Sequence, residues 1–190
     1  MYLLKRIAVA LSLAPIKPRA DSFIPLNITA LASRNQVSVL ECWQLNASVP
    51  TKAMSAMNYF IGNTTSATWS IIEPNTTPGE AWAPAIQLTM VMNGLIRITA
   101  PAPSIDPNCI DFLGNKLPTC PQVNVAYMMP GTLASSVIIA ADMQNTSTLR
   151  GHFTEFPSNE QTVLVQAPFE GNVIPEHVVL HDGACMENQS

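Results

Sequence analysis

The side chains able to do chemistry are few and scattered. There are three histidines, His152, His177 and His181. His177 and His181 stand four residues apart, a spacing that can chelate a metal on a helix. The segment between them, Val178-Val179-Leu180, is β-type, and four strand residues span about 13 Å at roughly 3.3 Å each. Two ligands that far apart cannot share an ion, so both are read as turn or surface residues. No G-x-S-x-G elbow, dinucleotide fingerprint or phosphate loop is present, and no Ser/His/Asp set is evident. Hydrolase and nucleotide chemistry are therefore unsupported. The remaining candidates are the indole of Trp82, the amide of Gln87, Arg97, Tyr127, and His152 with Glu155 as a proton-transfer pair. Arg97 is the only arginine in a candidate strand flanked by apolar residues. Each has a structural alternative: Trp82 as a core or rim residue, Arg97 as a solvated strand residue, His152 as a hydrogen-bonded fold residue.

These residues sit on a chain that reads as short β segments punctuated by turns. Candidate strands are Ser38–Leu45, Thr68–Glu73, Ala85–Met92, Leu95–Thr99, Asn124–Met129, Val137–Ala141, Gly151–Phe156, Thr162–Ala167 and Glu176–Leu180. Asn93-Gly94, between two apolar runs, is the strongest hairpin signal. Pro74–Gly79 reads as a turn. Sixteen prolines disfavour long helices, and one short helix is expected near Ala53–Phe60. The expected fold is all-β, a single antiparallel barrel or jelly roll over residues 21–190. Several strands are apolar on both faces, as in Ile86-Gln87-Leu88-Thr89-Met90-Val91-Met92. The second apolar face calls for a barrel interior, which in small barrels is filled or holds one small ligand. Met54, Met57, Met90, Met92, Met128, Met129 and Met143 would make such a lining adaptable, or serve as ordinary core filler.

The first twenty residues have the layout of a signal peptide. Lys5 and Arg6 precede the apolar run Ile7 to Ile16, and Ala20 offers a cleavage point. Ten apolar residues are too few for a span, which needs about 20. All thirteen acidic residues follow Ala20, but only Arg34, Lys52, Arg97, Lys116 and Arg150 among the basic ones do. The remainder therefore carries 5 − 13 = −8. Scattered cations on so acidic a chain argue against nucleic acid as a partner. Six N-x-[ST] sequons, at Asn27, Asn46, Asn63, Asn75, Asn145 and Asn188, fit a secreted glycoprotein and mark surface loops or strand ends. Four cysteines fit a disulfide framework with three possible pairings. The favoured one closes a local loop with Cys109–Cys120 and joins Cys42 to Cys185.

Two resemblances extend this reading. Around Pro78–Thr99 the chain resembles the first motif of the cupin barrels. Counting back from Gly94 puts Gln87 where the metal-binding Glu would be, and Trp82 and Glu80 where the histidines would be. The second motif's histidine falls near Ala134. The strand frame is kept and the ligands are gone, which implies a metal-free member.

A wider resemblance rests on Val39-Leu40-Glu41-Cys42-Trp43-Gln44-Leu45, Trp82-Ala83-Pro84, Gly151-His152-Phe153-Thr154-Glu155-Phe156-Pro157, and the run from Pro175 to Cys185. These strings resemble small secreted fungal proteins, in particular the hetero-Diels–Alderases of tropolone–sesquiterpene biosynthesis. The resemblance implies a cofactor-independent cyclase. A hydroxymethyl tropolone loses water to give an o-quinone methide, which adds across an alkene of a humulene-type terpene. Its partners would be hydrophobic small molecules, with no membrane span and a homodimer allowed. In that frame Trp82 stacks on the tropolone, Arg97 binds its oxygens, Tyr127 donates to the quinone methide carbonyl and His152 assists dehydration. The alternative is a secreted, non-catalytic small-molecule-binding or effector-like protein.

Overall fold

The computed structural model describes residues 24–46, 50–102 and 123–186, so the leader-like segment, Cys109, Cys120 and Asn188 lie outside the described residues. In chain order the strands are β1 (Leu26–Arg34), β2 (Val37–Leu45), β3 (Thr51–Ala53), β4 (Ala56–Asn58), β5 (Thr68–Ile72), β6 (Thr76–Ala81), β7 (Gln87–Asn93), β8 (Ile96–Pro101) and β9 (Val123–Met128). The short helix α1 (Leu133–Ser136) follows, then β10 (Val137–Ala140), β11 (His152–Phe156), β12 (Thr162–Pro168) and β13 (His177–Asp182). The fold is all-β, as expected. The strands form a seven-stranded sheet, β13-β2-β1-β10-β7-β12-β5, a four-stranded sheet, β6-β11-β8-β9, and the β3-β4 hairpin. Both larger sheets are open, so of the barrel and the two-sheet arrangement expected, the described residues form two stacked sheets and no closed barrel.

Period-two alternation explains why the central strands are apolar throughout. Along β1, Leu31 points to one side and Ile28, Ala30 and Ala32 to the other; along β2, Leu40 opposes Val39, Trp43 and Leu45. The Leu31 side meets the small sheet: Leu31, Leu40, Val91, Ile138 and Leu164 pack against Ile96, Ile98, Ala126, Met128 and Phe156. The opposite side forms a second core, with Trp43, Leu88 and Ile139 joined by Ile86, Ile61 and Phe169. At about 1.5–3 kcal/mol per fully buried aliphatic or aromatic side chain, two such layers hold the sheets without a barrel. The second apolar face of β7 is therefore packed core and does not line a barrel interior.

Three further expectations are corrected. Asn93-Gly94 does not close a hairpin, because β7 pairs with β10 and β12 while β8 pairs with β11 and β9. The dipeptide instead turns the chain from one sheet into the other. Gly94 has φ +81°, and a Cβ there would sit 2.4 Å from Thr162 Oγ1 and 2.8 Å from Thr162 Cα. The requirement for glycine is real, but it comes from a close approach to β12. The helix near Ala53–Phe60 is a hairpin turning at Met54, which has φ +55°. Residues 51–58 are exposed, so an isolated short helix would have had no apolar face to bury. The supposed turn Pro74–Gly79 contains the start of β6, paired along β11.

Candidate functional site

The outer face of the four-stranded sheet brings three candidate residues into one row. Register places Arg97 on β8 between Glu155 on β11 and Tyr127 on β9. Arg97 forms an ion pair with Glu155. Its pKa is raised above the ordinary arginine value, first by the hydrogen bond to Glu155 and then by one to Tyr127. The next row holds Phe153, Thr99 and Val125, so the charged row borders apolar surface.

Tyr127 also stands on the wall of an open cleft of about 820 Å³ between the end of β9, α1 and the segment after β13. Met128, Met129 and Met186 line it, with Ala134 and the Cys185 end of a disulfide. The Cys42–Cys185 bond is formed as expected and places that segment against the face of β2. The backbone N–H of Cys185 donates to Thr29 Oγ1 at 3.0 Å, which fixes the wall further. Thioether-rich walls adapt to irregular apolar ligands, and the volume lies in the usual range for small-molecule sites.

His152 lies elsewhere, on the inner side of β11. Its Nδ1 is 2.6 Å from Asp142 Oδ2, and the Ser38 hydroxyl donates to the same oxygen at 2.6 Å. A Ser/His/Asp group is thus present, contrary to the sequence reading. It is wired through the carboxylate, however, and no Ser38–His152 hydrogen bond exists to activate the serine as a nucleophile. The imidazole lines a second cleft, of about 260 Å³, together with Glu80, Thr99, Pro101, Val123 and Phe153.

Trp82 lines a third depression with Pro84 and Met143. Its indole N–H donates to the Ser147 carbonyl at 2.8 Å, and its ring covers Gly151, where a Cβ would sit 2.8 Å from Cε2. This is the core-or-rim role, with the donor already engaged. Gln87 is buried on the face of β7 turned to the small sheet, with only a long 3.4 Å contact to Thr89 Oγ1. Trp82, Gln87 and Arg97 therefore do not converge as a group. Arg97, Tyr127 and Glu155 do.

Ser38, Asp142 and Thr99 escaped the sequence reading. The one available signal was Asp142, a lone acid directly after the apolar run Val137–Ala141. The remaining residues fall as follows. His177 stacks on Trp43 with ring centroids 3.6 Å apart, a structural role consistent with its exclusion as a ligand. Among the described residues no three His, Cys, Asp or Glu side chains gather in a metal-sized cluster. Asn46, Asn63, Asn75 and Asn145 are exposed, as a glycan acceptor must be. Asn27 is corrected: it is 5% exposed within β1 and accepts a bond from Gln44 Nε2, so its side chain faces inward. No described helix is long and apolar enough to cross a membrane. Compared with protein-family models, curated proteins and solved structures, the chain matches none.

Proposed function

We propose that this chain is a secreted, cofactor-independent pericyclase of fungal secondary metabolism. It joins a tropolone o-quinone methide to a humulene-type sesquiterpene by an intermolecular hetero-Diels–Alder addition. The observation that carries the reading is the methionine-walled cleft of about 820 Å³ with Tyr127 on its wall and Arg97 beside it. The resemblance of four strings to the hetero-Diels–Alderases points the same way. A cycloaddition needs two apolar partners held face to face, and orientation alone can supply about 7–11 kcal/mol of the barrier in favourable cases. Donors at the oxygen that gains charge add to that. Tyr127 and Arg97 are those donors, and the methionines receive the terpene. Secretion rests on the leader-like start, the disulfide and the exposed sequons.

The test is incubation of the glycosylated protein with a quinone-methide precursor and a humulene-type alkene. The expected result is faster product formation with one stereoisomer dominant. Tyr127→Phe and Arg97→Met should each lower the rate by about 10²-fold, as loss of one stabilising donor does. A rate and stereochemistry equal to those of the protein-free reaction would overturn the proposal.

A second reading has its own observation. Trp69 and Ile71 are 62% and 57% exposed on one face of the edge strand β5, beside Val165 and Val163. An apolar strip of this kind suits a protein partner, as in a non-catalytic effector-like protein. Retained small-molecule turnover with the strip blocked by Trp69→Lys would count against it as the principal function.

A further inference from the structure

The cleft at His152 carries an inference that stands apart from the cycloaddition. Four observations meet there. Asp142, fully buried, holds Nδ1 of the ring at 2.6 Å and takes the Ser38 hydroxyl on the same oxygen. Nε2 of His152 has no hydrogen-bond partner among the described residues, and the side chain keeps 10% of its surface exposed where the ring lines the cleft. Thr99 lines the same cleft, and its Oγ1 is buried with no hydrogen-bond partner among the described residues. The remaining walls include Pro101, Val123 and Phe153, with the exposed Glu80 and Arg150 alongside.

Buried polar atoms are nearly always hydrogen-bonded, and each exception asks for an explanation. Here the buried, unpartnered hydroxyl of Thr99 belongs to the wall of a small, largely apolar cleft that His152 also lines. A carboxylate on Nδ1 selects the neutral tautomer that keeps its proton there, which leaves the Nε2 lone pair for a ligand. After that lone pair takes a proton, the imidazolium sits against a buried carboxylate that stabilises it. Ser38 helps hold the carboxylate in place.

We propose that this cleft is a general acid–base site in which Asp142-oriented His152 removes a proton from a small, flat, apolar carbon or oxygen acid. The substrate's C–H or O–H bond breaks, its electron pair stays on the substrate, and the proton moves to Nε2. Asp142 is a positioning residue, because it acts through the ring. About 260 Å³ admits a single fused aromatic ring system.

The probe is 5-nitrobenzisoxazole, whose ring opens when a base takes its C3 proton. The C–H pair becomes part of a nitrile, the N–O bond breaks with its electron pair going to oxygen, and a single coloured cyano-nitrophenolate forms. The intact protein should open it at least about 10²-fold faster than His152→Gln of equal thermal midpoint, the usual worth of a placed general base. His181→Gln, a control imidazole on β13, should match the parent. Asp142→Ala should lose most of the rate and shift the neutral ring toward the Nε2–H tautomer, read by ¹⁵N NMR of labelled histidine. Asp142→Asn, which keeps an acceptor for Nδ1, should retain the parent tautomer and recover part of the rate, and it serves if Asp142→Ala fails to fold. Equal rates for the parent and His152→Gln would overturn the proposal. So would a parent ring whose neutral form carries its proton on Nε2.

Discussion

Two buried carboxylates, Glu41 on β2 and Asp142 hydrogen-bonded to Ser38 of β2, are used differently. Glu41, 4% exposed, has both oxygens engaged: Oε1 pairs with Arg34 and Oε2 accepts the Trp43 indole N–H at 2.6 Å. Arg34 reaches on to Asp182 of β13 at 2.8 Å. Burial works against the Arg34 charge, and the pull of Glu41 with the bonds to Asp182 outweighs it, raising its pKa. That network is saturated and ties three neighbouring strands. Asp142 takes two donors on Oδ2 and, among the described residues, none on the buried Oδ1. Its partner His152 looks onto a cleft. The first carboxylate spends its whole capacity on the fold, whereas the second leaves capacity unspent beside a space a molecule can enter. The two differ in that Asp142, through His152, borders a cleft and Glu41 does not.

The largest test of the comparison removes the clamp that holds β13 near Glu41. Changing Cys42 and Cys185 together to Ser opens a loop with a sequence separation of 143 residues. Loop-closure entropy puts the loss near 4–5 kcal/mol, read as a lower urea midpoint. Isosteric changes at the two carboxylates come next. Glu41→Gln must set an amide NH₂ against either Arg34 or the Trp43 N–H, leaving two donors facing each other. A cost of about 1–3 kcal/mol is expected by thermal or chemical unfolding. Asp142→Asn can keep its oxygen where Ser38 and His152 donate and put its NH₂ where Oδ1 already lacked a partner. The expected change is the smallest, within about 1 kcal/mol. If Asp142→Asn proves costlier than Glu41→Gln, the contrast fails and the Asp142 group is a brace after all.

Much of the sheet content was legible because alternation and turn residues are local. The segments expected at 68–73, 137–141, 151–156 and 162–167 all contain strands. β1 was missed because it follows the leader-like segment and lacks a strong turn before it. Its partner turn, Asn35-Gln36, has positive φ at both residues, and that conformation is invisible without a glycine. The closed-barrel alternative and the Asn93-Gly94 hairpin failed for a common reason. An apolar face and a tight turn are local facts, but which sheet receives the next strand depends on long-range pairing. The site followed the same division. Arg97, Tyr127 and Glu155 were recognisable singly by chemistry, and cross-strand register united them. Ser38 and Asp142 are 104 residues apart, and no spacing rule links a serine to an acid at that distance.

The segment that completes the methionine-walled cleft belongs to the last described part of the chain, yet it is anchored to β2 near the start. Its wall at Ala184, Cys185 and Met186 is pinned covalently once a thiol on β2 and one 143 residues later have met. Both sheets offer packed cores that need no such event. The cleft is therefore expected to mature after the framework, on the timescale of disulfide formation, which runs from seconds to hours. Compartment and oxidant supply would then govern when the protein becomes competent, and the pool of folded but unbridged chains would be structured without being ready.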